Sequence, residues 1–213
     1  MDDRGILYLI WGDNPRDREL QEKSIESIKK FNIPYTIREM DYRRGLLNKS
    51  DMYYLSPYEN TLFLDNDTIV LADSLDFGFQ MSDRHGIAVC HDRACELERW
   101  HIYKYIPEYN TGVIFFHKSP VTQGVFNRWE FLCNTNNHTY PILCGGNDQP
   151  LFGIACYEKA YNPYVLPETW NYRRYADNDT IFGNIKIWHT TKVLTNEIES
   201  KIRSNNQWKF YNA

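Results

Sequence analysis

No two cysteines in this chain stand in a CxxC pair, and the five present, Cys90, Cys95, Cys133, Cys144 and Cys156, are odd in number. That argues against a disulfide framework or a zinc site and for a reducing, cytoplasmic setting. No run approaches the roughly 18 apolar residues that would span a membrane, so no transmembrane segment is expected. The opening MDDRGILYLIWGD sets acids before a short apolar run without a small-residue cleavage site, and does not read as a signal peptide. Basic tracts are missing too. None is longer than Arg43-Arg44, the net charge is −4 and the pI is about 5.9, which argues against a nucleic-acid partner. Repeats, linkers and low-complexity stretches are also lacking.

What is present fits one α/β domain. A chain of 213 residues can bury a sizeable core. Ile6 to Trp11 reads as a strand closed by Gly12-Asp13-Asn14-Pro15, and Arg16 to Phe31 as a helix with apolar residues at helical spacing. Tyr35 to Met40 is a second strand, Arg43 to Tyr54 a second helix, and residues 61 to 64 a third strand. This β-α-β-α-β order predicts parallel pairing in a Rossmann-like half, yet no GxGxxG follows the first strand, so the dinucleotide fingerprint is lacking. Later strand candidates are Gly86 to Cys90, Gly112 to His117 and Ile185 to His189, with helices at Val121 to Asn134 and Gln149 to Tyr157. The expectation is a mixed, mostly parallel sheet, continuous through a nucleotide-binding half (about 1–110) and an acceptor-side half (about 111–213). Residues 90 to 105 read as an acceptor-side loop and helix. The 16 Tyr and 6 Trp suit stacking on bases and sugars as well as packing.

The chemistry concentrates at TLFLDNDTIVL, residues 61 to 71. A short apolar strand delivers Asp65 and Asp67 just past its carboxyl end, where open α/β sheets put their ligands. Residues i and i+2 of an extended segment point the same way, so both carboxylates can face one ligand. Two such charges need a proton or a cation, and a hard divalent ion carrying a phosphate, Mg or Mn, is the economical choice. A plain Asp/Asn turn is the competing reading. Asn66-Asp67-Thr68 is also a glycosylation sequon, which would be a hazard at such a site in a secretory lumen.

From this segment the chain resembles nucleotide-sugar glycosyltransferases of the GT-A fold, which commonly carry Asp-x-Asp after a buried strand. YNTGVIFFHKS at 109 to 119, GGNDQPLFG at 145 to 153 and IWHTTK at 187 to 192 agree with the family that includes glycogenin and the bacterial lipooligosaccharide galactosyltransferases. The resemblance covers roughly residues 5 to 192. The compact form is also similar to a transferase domain of a large chlorella-virus protein, and so allows for further domains of a longer protein. The resemblance implies a UDP-sugar donor, a glycan or sugar acceptor and retention of configuration. It also implies a metal held by Asp65, Asp67 and His189, with Asp148 and Gln149 beside the donor sugar. The family's longer His-x-x-Gly-x-x-Lys-Pro ending is replaced here by His189-Thr190-Thr191-Lys192, so Lys192 is a departure from the pattern as well as a candidate phosphate ligand.

Each residue keeps a plainer alternative. His189 ends a short alternating strand, and an imidazole there accepts Mn more readily than Mg, but a lone His is also a common core residue. Asp148 can position the sugar or simply cap the helix that starts at Gln149-Pro150. Asn110, Thr111 and Gly112 begin a buried strand where a ligand can approach the backbone, or form a turn without function. Trp11 and Gly12 end the first strand where a base or ribose would rest, with core packing as the rival role for Trp11. Lys49 is a partner for a phosphate or for Asp65, or a solvent-exposed lysine, and Asn66 sits between the two acids. Two rival functions remain: a haloacid-dehalogenase-type phosphatase with Asp65 as nucleophile, whose motif normally lies near the amino terminus, and a non-catalytic carbohydrate-binding module.

Overall fold

The structure, a computed structural model, describes residues 3–96, 106–135, 146–173 and 183–189, and of residues 93–96 the backbone only. Strand β1 (Arg4–Trp11) pairs in parallel with β2 (Tyr35–Met40) and with β3 (Asn60–Leu64), as the alternating order of elements requires. Between them, helix α1 (Pro15–Ile28) starts on Asn14, whose side chain accepts from the Arg16 amide at 3.0 Å, with Pro15 at the first helical position. A 3₁₀ turn through Phe31 and the left-handed Asn32 ends it.

The expected helix over Arg43 to Tyr54 is instead a kinked 3₁₀ stretch, Tyr42–Asp51, followed by a single turn, α2 (Met52–Leu55). Gly45, at φ 51° and ψ −128°, lies in a conformation only glycine adopts easily and interrupts the helix. Arg44 reaches forward to the Asp51 carboxylate and Asn48 donates to the carbonyls of Asp41 and Gly45, so side chains hold the bend. Helix α3 (Asp76–His85), which periodicity did not disclose, precedes β5 (Ile87–Glu96). Part of the segment expected as loop and helix, residues 90 to 96, therefore continues β5, and 97 to 105 lie outside the described residues. Helix α4 (Pro120–Asn134) and helix α5 (Gln149–Glu158) follow β6 (Pro107–His117).

The expectation of one continuous sheet is corrected. Six strands run in the order β2-β1-β3-β6-β5-β7, with β7 at Tyr164–Val165, and three short strands form a separate sheet. That second sheet joins β4 (Thr68–Val70), β9 (Ile187–His189) and β8 (Tyr172–Arg173). Its pairs are only two or three residues long and join distant segments, which is why no local pattern announced it. Pairing is mixed, since β6 runs antiparallel to both β3 and β5.

Alternation along the strands divides the core. Leu7, Leu9, Phe63, Ile114 and Phe116 point to one face, where α4 and α5 supply Phe126, Trp129, Leu151 and Phe152. Ile6, Tyr8, Leu62, Leu64 and Phe115 point to the other, covered by Ile28 of α1 and Phe79 and Met81 of α3. Successive side chains of a strand face opposite ways, so a sheet buried on both sides reads as an unbroken apolar run, as LYLI and LFL do. This three-layer α/β body leaves the carboxyl ends of β1 and β3 beside the start of β6, and a cleft opens there.

Candidate active site

The cleft has a volume of about 580 Å³, and its lining includes Trp11, Asp65, Asp67, Asp148, Gln149 and His189. Asp65 and Asp67 leave β3 in a turn locked from below. The Asp65 amide donates to Gly112 O at 2.8 Å, and the Asp65 carbonyl accepts from the Thr68 hydroxyl at 2.7 Å. Thr68 in turn meets Ser24 of α1, and Ser24 meets Tyr8 of β1, through a buried line of hydroxyls. His189 arrives on β9, whose register sets it opposite Thr68. One carboxylate oxygen from each aspartate and a ring nitrogen of His189 fall within 4.8 Å of one another, among the described residues the one such grouping of acid, cysteine and histidine side chains. His189 Nε2 lies 3.2 Å from Asp67 Oδ1 and 3.6 Å from Asp65 Oδ2. Burial pushes the Asp67 carboxyl up, but the His189 imidazole, then Lys49 and Arg173, outweigh it and hold Asp67 below the ordinary carboxylate value.

Gly112 has a specific job here. A Cβ on it would sit 2.2 Å from His189 Cε1 and 2.8 Å from Asp65 Oδ2, so only glycine lets the imidazole and the carboxylate close over β6. The close approach to this backbone is made by the chain's own side chains. A register jump produces it: Val89 of β5 faces Ile114, but Cys90 faces Asn110, so Thr111, Gly112 and Val113 have no counterpart on β5. Such bulges re-aim side chains at sites.

Lys49 is buried, contrary to the solvent-exposed alternative, and its ammonium donates to Asp65 Oδ2 at 2.7 Å while lying 4.0 Å from Asp148 Oδ1. Burial would push this lysine down, but Asp148, Asp65 and Asp67 together overcome that and keep it above its ordinary value and charged. Asp148 is also fully buried; burial raises its carboxyl, with Lys49 and the Thr111 hydroxyl opposing. Its side chain makes no capping bond to α5. It accepts from Thr111 Oγ1 at 2.6 Å, while Asn147 Oδ1 takes the Gln149 amide in the manner of a cap. The capping alternative therefore fails for Asp148 and passes to its neighbour.

Gln149 donates through Nε2 to Glu108 Oε1 at 3.1 Å and to Asp92 Oδ2 at 3.3 Å. With the nitrogen committed to two carboxylates, the side-chain carbonyl is the face it can turn to a ligand. Asn66 lines the cleft but directs its amide to the Leu9 carbonyl and accepts from Gln21, tying the acidic turn to the end of β1. Trp11 combines its alternatives, since it packs against the core and lines the cleft. Gly12, at φ 79°, makes the turn after it. Asn110 is buried, accepts from Asn171, and does not line the cleft. Lys192 lies outside the described residues, as does Gly145.

No family model and no curated protein sequence matches this chain. Solved structures do. The galactosyltransferase LgtC, solved with donor and acceptor sugar analogs, superposes with a TM-score of 0.57 at 10% identity, over 88% of this chain and 87% of that one. A glycosyltransferase involved in glycosylating the major capsid of PBCV-1 matches with a TM-score of 0.52 at 16% identity, over 94% and 99% of the two chains. GlyE of Streptococcus pneumoniae TIGR4 matches with a TM-score of 0.53 at 12% identity, over 97% of this chain and 61% of that one. The chain has the GT-A glycosyltransferase fold.

Within this GT-A body the sequence reading missed four residues. Asp92 follows the strand candidate that ended at Cys90; carrying the strand two residues further would have delivered it to the same strand end as Asp65. Glu108, buried under Gln149, and Asn171, beside His189, carry no local signal. Arg173 pairs in register with His189 across the small sheet and lines the cleft. Its placement depends wholly on the β8 to β9 pairing.

Proposed function

We propose that this chain is a glycosyltransferase that moves a hexose or deoxyhexose from a UDP-sugar to a hydroxyl of a glycan, with retention. The observation that carries the reading is the convergence of Asp65, Asp67 and His189 on one point of a GT-A cleft, with buried Lys49 and Asp148 directly behind it. The donor set fits a divalent cation. Two carboxylate oxygens and an imidazole nitrogen converge, Gly112 has no Cβ to obstruct them, and an imidazole in an oxygen-rich set favours Mn²⁺ over Mg²⁺. When bound, the ion supplies Lewis acidity toward the departing diphosphate, worth several kcal/mol.

The remaining work falls to the chain. Lys49, buried and charged, donates to Asp65 and offsets its repulsion with Asp148. Arg173 brings a further positive charge to the cleft, where it acts on Asp67. Trp11 and Gly12 at the end of β1 offer a place for the base and ribose. Asp148 and the Gln149 carbonyl orient the sugar, which keeps the reacting atoms in near-attack geometry. Asp148 and Asp92 accept hydrogen bonds from Thr111, Asn110 and Gln149, which suits them to orienting rather than to base chemistry. That supports front-face attack, with the leaving phosphate taking the acceptor's proton. Described Cys90, Cys133 and Cys156 are free and buried, in keeping with a cytoplasmic protein, and no helix among the described residues is long and apolar enough to cross a membrane.

Incubation with a panel of nucleotide sugars and Mn²⁺, with free UDP as the readout, tests the proposal. Release with at least one UDP-sugar, abolished by EDTA, is expected. Release of phosphate from a generic phosphomonoester with no sugar-nucleotide turnover would overturn it in favour of the phosphatase reading.

A further inference from the structure

Behind His189 lies a line of hydrogen bonds whose polarity can be assigned from one end. Asp92, buried beside β6, has a carboxylate that only accepts. Asn110 Nδ2 donates to its Oδ2 at 3.1 Å. That fixes Asn110 with Oδ1 on the opposite side, where it accepts from the Gly112 amide at 3.0 Å and from Asn171 Nδ2 at 2.8 Å. Reversing Asn110 would set its oxygen against Asp92 and its nitrogen against the Gly112 N–H, so neither contact would survive. Asn171 is fixed in turn, for its reversal would oppose two amide oxygens. Its Oδ1 lies 2.8 Å from His189 Nδ1, and an amide oxygen only accepts, so Nδ1 carries the proton. In a neutral ring the lone pair then belongs to Nε2, the nitrogen facing Asp67 and Asp65. Asn110, Asn171 and His189 are all buried, where water cannot substitute for a lost partner.

We propose that Asp92, acting through Asn110 and Asn171, is a positioning residue that holds His189 as the Nδ1-protonated tautomer, with Nε2 presented to the two aspartates. The Asp92 oxygen that starts this line also accepts from Gln149 Nε2 at 3.3 Å, so one carboxylate orients residues on both the metal side and the sugar side of the cleft. The functional consequence rests on the metal reading above; the tautomer does not.

The test uses Asn171→Ala, Asp92→Ala and the double variant of the whole chain, with Mn²⁺ affinity read by calorimetry. Each single variant is expected to lose about 10- to 100-fold in affinity. The Asp92→Ala loss should vanish in the Asn171→Ala background, because both act through the same contact. Wild-type affinity in Asn171→Ala, or two losses that add, would overturn the proposal. Nitrogen NMR of His189, on metal-free wild-type chain at a pH where the imidazole is neutral, gives an independent readout. A protonated Nδ1 is expected, giving way to a mixture in Asp92→Ala. A wild-type ring protonated at Nε2 overturns the relay even if the variants fail to fold. Absence of any Mn²⁺ binding by the wild type would instead fell the metal reading, leaving the tautomer to decide the relay.

Discussion

The two ends of the central sheet hold cavities of similar size and similar residues, yet only one buries its charged groups. At the carboxyl ends of β1 and β3 the cleft of about 580 Å³ gathers Asp65, Asp67, Asp148, His189 and, behind them, Lys49. At the other end a cavity of about 460 Å³ is lined by Arg4, Asp76, Asp83 and His117. The side chains of Lys49, Asp148 and His189 are no more than 4% exposed, whereas those of the Arg4–Asp76 pair are 48% and 57% exposed. In the cleft Lys49, Asp65, Asp67, Asp148 and His189 hold one another at short range; at the opposite end the charges face water, which weakens them and lets them move. Acids and a histidine in a cavity are thus a poor signature of a site. Burial with fixed partners is the better one.

The comparison is broken most directly at Lys49. Lys49→Met removes the buried cation and leaves Asp65 and Asp148 facing each other without it. Loss of one partner of a buried pair costs about 3–5 kcal/mol. Urea unfolding of the metal-free chain should show a fall toward that size, moderated if Asp148 takes up a proton, the direction in which burial already pushes it. A cost below about 1 kcal/mol would make the cleft energetically no different from the opposite cavity.

Next come the candidate metal ligands. Asp67→Ala leaves the β3 core untouched and should unfold close to wild type, whereas His189→Ala also strips Asn171 Oδ1 of its buried partner and should cost about 1–3 kcal/mol. Each forfeits part of a contribution worth several kcal/mol, so transfer should drop by about 100-fold or more. Near-normal turnover of either variant at saturating Mn²⁺ would remove that residue from the ligand set.

Asp148→Asn sharpens the contrast further, because it changes charge while keeping shape. Asparagine still accepts from Thr111 and Lys49 still has Asp65, so the melting temperature and UDP affinity should hold. Turnover should fall about tenfold or more as the sugar loses its orientation. A variant with normal turnover and a lowered melting temperature would return Asp148 to a purely structural role.

How much of this could be read from the chain depends on the range of the interactions. The strands at LYLI and LFL, the two acids after the latter and the His at the end of IWH were legible, because each is a local pattern: an apolar run, then a polar residue at a strand end. The contacts of Asp148 were not, since Gly-Asn-Asp-Gln-Pro is as good a capping sequence as a site, and the structure gives the cap to Asn147 and turns Asp148 inward to Thr111. The kink at Gly45 was hidden because one glycine in a helical pattern is often tolerated. Asn171, Arg173 and the whole three-stranded sheet were out of reach, since two- and three-residue strands gain their identity only from partners far along the chain.

The smallest expected effect lies at the opposite end of the sheet, and it is there that the comparison is most exposed. The Arg4 guanidinium, and after it the Ser74 hydroxyl, hold the Asp76 carboxyl below the ordinary carboxylate range. Asp76 also opens α3, where a negative charge is favoured by the helix dipole. A carboxyl whose value is lower in the folded chain stabilises it above the unfolded value, near pH 4, and loses that contribution as the pH falls through the folded value. Because both partners are about half exposed, the contribution is screened, and Asp76→Asn should cost no more than about 1 kcal/mol at neutral pH. The gap between wild type and variant should narrow in high salt and close as the solution is acidified below about pH 4. Urea unfolding of both proteins across pH and salt measures this. A loss of 3 kcal/mol that salt does not touch would mean that Arg4 and Asp76 are held as rigidly as Lys49 and Asp65, and burial would no longer distinguish the two ends.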